Sequence, residues 1–193
     1  MQNILIKNNI KSNTYISSIM LSQHTDDTTS VDIHVLNDKW TLWAHLPHNT
    51  DWSLKSYIPI STFQSMEEAI AITESLPPIF VKNCMLFMMK KGIQPIWEDP
   101  KNKEGGCFSF KVLNEDVPKA WTELTYRVVG CSISKDESFI KCVSGITISP
   151  KKQFCVIKLW MSNCINQNPA VLAPIYGLQI RGCIFKKHSP EYN

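Results

Sequence analysis

Short strand-like segments, separated by turns and capped helices, fill the chain from residue 31 onward and most constrain its fold. They are rich in aromatic and β-branched residues and cover residues 39–45, 54–60, 108–113, 145–149, 154–160 and 178–185. They do not alternate regularly with helices, as the strand–helix–strand units of a parallel sheet require. The order predicts an α+β fold with a mostly antiparallel β-sheet.

Helices are indicated between these strands by their start and stop signals. An S-x-x-E capping box at residues 65–68 predicts a helix that ends before two consecutive prolines at 77 and 78. Residues 117–129 predict a second helix, with a proline in its first turn and Gly130 just past its end. A short helix is predicted to start at Pro169.

Size and composition indicate one folded domain with an N-terminal extension. The chain has 193 residues, of which 44% are hydrophobic and 19% charged, so a sizeable core forms and general disorder is excluded. Residues 1–30 are rich in Asn, Ser and Thr and are expected to extend a domain at residues 31–193. No apolar run approaches the roughly 20 residues that span a bilayer. No secretory signal is visible, so a cytoplasmic location is expected.

Charge and motifs favour a binding protein over an enzyme. The net charge of +3 permits an anionic ligand without requiring one. The seven cysteines are an odd number without a C-x-x-C pair, which favours reduced thiols over a zinc site or a disulfide framework. No nucleophile motif, glycine-rich phosphate loop or metal-binding histidine pair occurs, so neither a metal nor a cofactor is expected. Cys107 as a thiol nucleophile is a minor alternative.

The most informative local string is GIQPIWEDPKNKEGG at residues 92–106. Trp97 stands on this proline-bounded loop beside Glu98 and Asp99, where an indole stacks on a flat ring and a carboxylate accepts hydrogen bonds from its edge. The alternative is that Trp97 merely anchors the loop. Trp52 lies on a second polar turn, and two exposed indoles can sandwich a base, with cation–π attraction added if the base is cationic.

The strings WTLW at residues 40–43, FQSMEE at 63–68 and, above all, the 92–106 loop resemble the translation initiation factor 4E family, whose members bind the mRNA cap. The resemblance runs in order from about residue 33 to 160. It implies a cupped antiparallel sheet with helices on its convex back. The cap, 7-methylguanosine triphosphate, is then expected in a cleft on the concave face.

The resemblance also implies roles for single residues in that cleft. Trp52 and Trp97 match the two stacking tryptophans, and Glu98 matches the acid that accepts from guanine N1–H and N2–H₂. Trp160 matches the indole near the methyl group. The phosphate side departs from the family pattern, because Lys151 and Val156 stand where the family has Arg and Lys. The residues expected to meet the phosphates are therefore the lysines of this hairpin: Lys151, Lys152 and Lys158.

The convex back departs further from the family. The family grips partner helices of the pattern Y-x-x-x-x-L-Φ there, and His34 and Glu123 match its pattern. The replaced positions are Val35 for Pro, Met66 for Val, Ile70 for Trp, and Thr122 and Tyr126 for two Leu. Standard partners are therefore expected to bind poorly, and a non-standard scaffold protein of the initiation complex is expected instead. Residues 15–21 nearly match the partner pattern, so docking of the N-terminal extension on this surface is a further hypothesis.

The function expected from the resemblance is cap binding that promotes translation initiation by recruiting mRNA to the ribosome. The alternative is a cap-sequestering repressor or decoy that recruits no scaffold. An enzyme acting on cap nucleotides is a distant third, because no residue supplies a nucleophile or a metal.

Overall fold

The computed structural model describes residues 32–47 and 49–189. The predicted extension at residues 1–30, and the proposed docking of residues 15–21, lie outside these described residues. Among the residues described, no helix is both long and apolar enough to cross a membrane.

The strands form one curved antiparallel sheet, which confirms the predicted fold class. In chain order they are β1 (Val35–His45), β2 (Tyr57–Ser65), β3 (Met85–Lys90), β4 (Gly106–Leu113), β5 (Val143–Pro150), β6 (Phe154–Met161) and β7 (Ile184–Lys187). Across the sheet they lie in the order β2-β1-β3-β5-β6-β4-β7, and every neighbouring pair is antiparallel.

The helices of the described residues are α1 (Met66–Ser75), α2 (Pro78–Asn83), α3 (Val117–Val129) and α4 (Glu137–Lys141), with single 3-10 turns at Leu54–Ser56 and Pro169–Val171. The predicted capping box forms at the start of α1. The backbone N–H of Glu68 donates to Ser65 Oγ at 3.2 Å, and that of Ser65 donates to Glu68 Oε2 at 3.1 Å. Helix α3 has the predicted bounds, because Pro118 suits its first turn and Gly130 follows its end.

Alternation along the strands gives the sheet two different faces. On β1, Trp40, Leu42 and Ala44 pack in the main core with the buried residues of α3, and we call this the helix face. Trp43 and His45 alternate with them and point to the other side, the cleft face. The buried hydrophobic residues that cluster on the cleft face are fewer: Tyr57, Phe87, Met89, Ile93, Cys107 and Trp160.

Strand β3 is absent from the sequence prediction. Its sequence, MLFMMK, has no period-two alternation, and its four central residues are all buried. Leu86 and Met88 pack in the main core, and Phe87 and Met89 are buried on the cleft face, so both faces of the strand are covered. A continuous apolar run of this length cannot be assigned to strand or helix by periodicity alone.

Three other boundaries differ from the prediction for local reasons. Residues 54–56 form a 3-10 turn, not a strand, because the N–H and Oγ of Ser56 both donate to Ser53 O, and β2 begins only at Tyr57. Pro78 does not merely stop a helix but begins α2, since the first helical residue needs no N–H donor. The last strand starts only at Ile184, after Gly182 at a φ of 99°.

Candidate functional site

A cleft of about 280 Å³ opens on the cleft face of the sheet. It is lined by the loop that carries Trp52, by the loop that carries Trp97 and Glu98, and by residues of strands β2, β3, β5 and β6. The residues that line it are Trp52, Tyr57, Met85, Phe87, Pro95, Ile96, Trp97, Glu98, Thr147, Ser149, Lys158 and Trp160.

A hydrogen-bond network of short polar side chains shapes the loop that carries Trp52. The Asp51 carboxylate accepts from the backbone N–H of Ser53 at 2.8 Å and from Ser53 Oγ at 3.0 Å. These hydrogen bonds lower the pKa of Asp51. Asn49 Oδ1 in turn accepts from the backbone N–H of Asp51 at 3.0 Å. The turn that results leaves Trp52 56% exposed, which is high for the largest apolar side chain.

One face of Trp52 nevertheless has a partner. The imidazole of His45 stacks on the indole with ring centroids 4.3 Å apart and planes 5° from parallel. His45 is itself buried, at the end of β1. The indole is therefore covered on one side by a fixed ring and remains more than half exposed overall.

The second loop, residues 92–105, is held by two buried polar side chains. Asp99 accepts from the backbone N–H groups of Gln94 and Lys101, each at 2.8 Å. Asn102 donates through Nδ2 to Gln94 O at 3.1 Å and to Ile96 O at 2.9 Å. Trp97, by contrast, is 43% exposed. Asp99 and Asn102 thus anchor the loop, and Trp97 is available for another contact.

Glu98 and Asp99 are neighbours in sequence but have different surroundings. Asp99 is buried beneath the loop, whereas Glu98 is exposed and lines the cleft. Tyr57 also lines the cleft, and burial, followed by the negative charge of Glu98, raises its pKa. The cleft therefore has a carboxylate acceptor at its rim and an apolar ring floor beneath it.

The part of the lining formed by β5 and β6, which we call the β5–β6 wall, carries Thr147 and Lys158, which are directly paired across these strands. Thr147 is 2% exposed, and its hydroxyl finds no hydrogen-bond partner among the described residues. Within the same part of the chain, Lys158 forms no salt bridge. This wall thus offers a ligand the cation of Lys158 and the hydroxyl of Thr147, neither of which is paired within the described part of the chain.

Trp160 follows Lys158 on the same face of β6 and is largely buried. Its indole packs against His188, with ring centroids 4.6 Å apart at 50°. Burial lowers the pKa of His188, and the charge of Lys158 acts in the same direction, which favours a neutral imidazole there. Trp160 is thus a wall of the cleft and not an exposed stacking ring.

Five of the seven residues suggested by sequence for cap binding line this cleft: Trp52, Trp97, Glu98, Lys158 and Trp160. The other two, Lys151 and Lys152, lie exposed on the turn between β5 and β6 and are not among the lining residues. The backbone N–H of Lys151 closes that turn by donating to Phe154 O at 2.8 Å.

The residues suggested for partner binding lie around α1 and α3, away from the cleft. His34 Nδ1 is 2.8 Å from Glu67 Oε1, and this hydrogen bond lowers the pKa of Glu67 to about 2. Glu123 accepts from the backbone N–H of Tyr176 at 3.1 Å. The exposed members of this group are His34, Val35 and Ile70, and the half-buried members are Met66, Glu123 and Tyr126.

Sequence reasoning missed His45 and Thr147. For His45 the signal existed, since period-two alternation places it on the same face of β1 as Trp43. No comparable signal marks Thr147, whose position depends on how β5 and β6 pair. No group of three or more metal-binding side chains occurs in residues 32–47 and 49–189.

Comparison with known proteins gives consistent matches. The family model described as eukaryotic initiation factor 4E matches residues 35–179. The chain is 34% identical to the eukaryotic translation initiation factor 4E of Eremothecium gossypii, over 74% of this chain and 69% of that protein. It is 31% identical to that of Saccharomyces cerevisiae, over 69% and 65%. The matches thus span about two thirds of these relatives' length.

A solved structure is similar as well. A crystal structure of a schistosome eIF4E, complexed with m7GpppA and 4E-BP, matches with a TM-score of 0.62 and 25% identity. The match covers 69% of this chain and 74% of that one.

Proposed function

The chain belongs to the eukaryotic initiation factor 4E family, and on that premise we propose that it binds the 7-methylguanosine 5′ cap of mRNA. In this role it promotes translation initiation by recruiting capped mRNA to the ribosome. The observation that carries the proposal is one cleft lined by two exposed tryptophans and a carboxylate, Trp52, Trp97 and Glu98. The cap-binding domain is residues 31–193, with residues 1–30 as its extension.

The methylated base stacks between Trp52 and Trp97. Base–aromatic stacking contributes about 1–3 kcal/mol per base. Methylation at N7 makes the guanine ring a delocalised cation, and a desolvated cation over an indole adds about 0.5–2 kcal/mol. Trp160 lies near the methyl group, where a largely buried wall excludes water. Stacking therefore supplies affinity and part of the preference for the methylated base.

Glu98 reads the edge of the guanine. Its ionised carboxylate accepts from N1–H and N2–H₂ of guanine, and a charged acceptor makes stronger hydrogen bonds than a neutral one. Adenine presents a different donor pattern and cannot make this pair of bonds. The exposure of Glu98 at the rim, with Asp99 engaged beneath the loop, supports this assignment over one to Asp99.

The phosphates extend along the wall formed by β5 and β6. Lys158 supplies the cation inside the cleft and Thr147 the hydroxyl, because neither has a salt bridge or hydrogen-bond partner within the described residues. Lys151 and Lys152 meet the outer phosphates from the turn. Lysine is a point charge without a bidentate fork, so these contacts are sensitive to salt.

The surface around α1 and α3 binds a scaffold protein of the initiation complex. The similar schistosome protein is complexed with a 4E-BP, which supports a partner surface in this chain as well. Five of the family's positions there are replaced, so we expect a non-standard partner to use it. The chain acts as a binding protein in the cytoplasm and not as an enzyme, and its family membership supports this role.

A tryptophan-fluorescence titration with 7-methyl-GTP and with plain GTP tests cap binding. Stacking on Trp52 and Trp97 quenches their emission, and 7-methyl-GTP is expected to bind more tightly because only its base is cationic. The double variant Trp52→Ala/Trp97→Ala shows whether the quenching arises in the cleft. Equal binding of the two nucleotides, or none, contradicts the proposal.

A second experiment separates initiation from the alternative of a cap-sequestering decoy, which the comparisons do not favour. A translation extract is depleted of its own cap-binding protein on a cap-analogue resin, and the chain is added back. An initiation factor restores translation of a capped reporter. A decoy does not restore translation of the reporter in the depleted extract. Added to an undepleted extract, it lowers translation of the reporter.

A further inference from the structure

The ring that stacks behind Trp52 is held rigidly by the fold. His45 is 2% exposed and lies at the end of β1, opposite Tyr57 of β2 and Met85 of β3. Its imidazole meets Tyr57 edge-on with centroids 5.2 Å apart, and Tyr57 meets Phe87 in the same way at 5.2 Å. A ladder of rings (Trp52, His45, Tyr57 and Phe87) thus runs from the exposed loop to the middle of the sheet.

A hydrogen bond fixes the orientation of His45 on the same loop. Nε2 of His45 lies 2.9 Å from the carbonyl oxygen of Asp51. A carbonyl can only accept, so Nε2 carries the proton and donates it. His45 therefore contacts the loop at two points, the backbone of Asp51 and the indole of Trp52. Asp51 also accepts a hydrogen bond from Ser53 in the same turn. The imidazole of His45 therefore links the turn at residues 51–53 to the end of β1.

We propose that His45 is a positioning residue that fixes the Trp52 indole in the stacking orientation before a planar cationic base enters. The inference rests on the proposed cap-binding function of the cleft. A large side chain on an exposed loop samples several rotamers, and freezing them costs binding free energy. A parallel ring at 4.3 Å removes that freedom in advance and leaves the other face of the indole for the base.

Three substitutions distinguish the stacking of His45 on Trp52 and its hydrogen bond to Asp51 from a general effect on stability. His45→Ala removes both the ring and the donor. His45→Phe keeps a flat ring and removes the donor. Thr41→Val is the matched control, because Thr41 is a buried polar residue on the same strand whose hydroxyl lies 3.0 Å from Thr62 Oγ1 and which is not among the residues that line the cleft. Thermal unfolding of each variant shows which ones remain folded at the temperature of the titrations.

The first readout needs no ligand. A ring stacked at 4.3 Å shifts the NMR resonances of the Trp52 indole, which are assigned by comparison with Trp52→Phe. We expect His45→Ala to lose this shift, and His45→Phe and Thr41→Val to keep it. Unchanged indole resonances in His45→Ala overturn the inference even if cap binding is intact.

The second readout is a double-mutant cycle on 7-methyl-GTP affinity. We expect His45→Ala to weaken binding about tenfold in the parent and not at all in Trp52→Ala, since its effect passes through that indole. His45→Phe should recover binding to within about threefold of the parent, and Thr41→Val should not change it. Equal loss in both backgrounds overturns the inference, because His45 then acts independently of Trp52. If the parent itself fails to bind 7-methyl-GTP, the proposed cap-binding function is wrong. The NMR shift of the Trp52 indole still tests whether His45 stacks on Trp52, because that measurement needs no ligand.

Discussion

The carboxylate of Asp99 accepts a hydrogen bond from the backbone N–H of Gln94 at 2.8 Å and so closes the loop that carries its neighbour Glu98. A second bond at 2.8 Å, from the N–H of Lys101, uses the other oxygen of Asp99. The two adjacent acidic residues thus have different roles. Asp99 builds the loop from below, and Glu98 remains at the rim of the cleft.

We predict that Glu98→Gln weakens 7-methyl-GTP binding by about 1.5–3 kcal/mol, because it removes the charge and turns one acceptor into a donor. Calorimetric titration measures the loss. Glu104→Gln is the matched control, since Glu104 is an exposed carboxylate on the same loop outside the cleft lining. A similar affinity of Glu98→Gln and Glu104→Gln for 7-methyl-GTP would contradict the proposed contact between Glu98 and the guanine edge.

Asp99→Ala is expected to act on stability as well as on binding. It leaves two backbone N–H groups without their acceptor, and each such loss in a buried setting costs about 1–3 kcal/mol. Urea unfolding should show a lower midpoint for Asp99→Ala and an unchanged one for Asp32→Ala, an exposed aspartate near the start of β1. An unchanged midpoint for Asp99→Ala would contradict its anchoring role.

Trp52→Ala and Trp97→Ala are each expected to lose about 1–3 kcal/mol of cap binding. Both side chains are more than 40% exposed, so their removal leaves little cavity and the melting temperature should move only slightly. The matched variants Trp52→Phe and Trp97→Phe keep a flat ring and should recover part of the affinity. Parent-like affinity of either alanine variant would exclude that indole from the sandwich.

Lys158→Ala is expected to weaken 7-methyl-GTP binding by about 1–2 kcal/mol and to leave binding of 7-methylguanosine, which lacks phosphates, almost unchanged. The salt dependence of 7-methyl-GTP binding should also become shallower, because one cation is lost. Lys151→Ala is the control on the same hairpin and should have the smaller effect, since Lys151 does not line the cleft. A larger loss of affinity for Lys151→Ala than for Lys158→Ala would show that the turn, and not Lys158, makes the main phosphate contact.

Glu67 gives a prediction on acid stability. The hydrogen bond from His34 lowers the pKa of Glu67 from 4.5 to about 2. A depressed pKa in the folded state means that the unfolded state binds the proton more tightly. The stabilisation by Glu67 is therefore complete above pH 4.5 and disappears as the pH falls toward 2. In urea unfolding, Glu67→Gln should be less stable than the parent at pH 7, with a difference that closes by pH 2. A constant difference across this range would contradict the linkage.

The composition and spacing of single segments were enough to predict much of the fold. The S-x-x-E box, Pro118 and Gly130 predicted α1 and α3, because capping depends on residues a few positions apart. The continuous apolar run of β3 gave no such signal, because its period is hidden when both faces are buried. The string at residues 92–106 likewise predicted Trp97 and Glu98 as site residues, because an indole and a carboxylate stand side by side on one proline-bounded loop.

Contacts between side chains far apart in the sequence follow from the packing of the strands. Thr147 lies beside Lys158 because β5 and β6 pair in one register, and a shift of β6 by one residue would turn Lys158 to the other face of the sheet. Lys151 and Lys152 look as suitable for phosphates in the sequence as Lys158, yet the turn carries them away from the cleft lining. Local sequence patterns were therefore sufficient for the family, the fold class and the residue types of the site. The packing of strands distant in sequence decided their arrangement, because local composition carries no information about strand register.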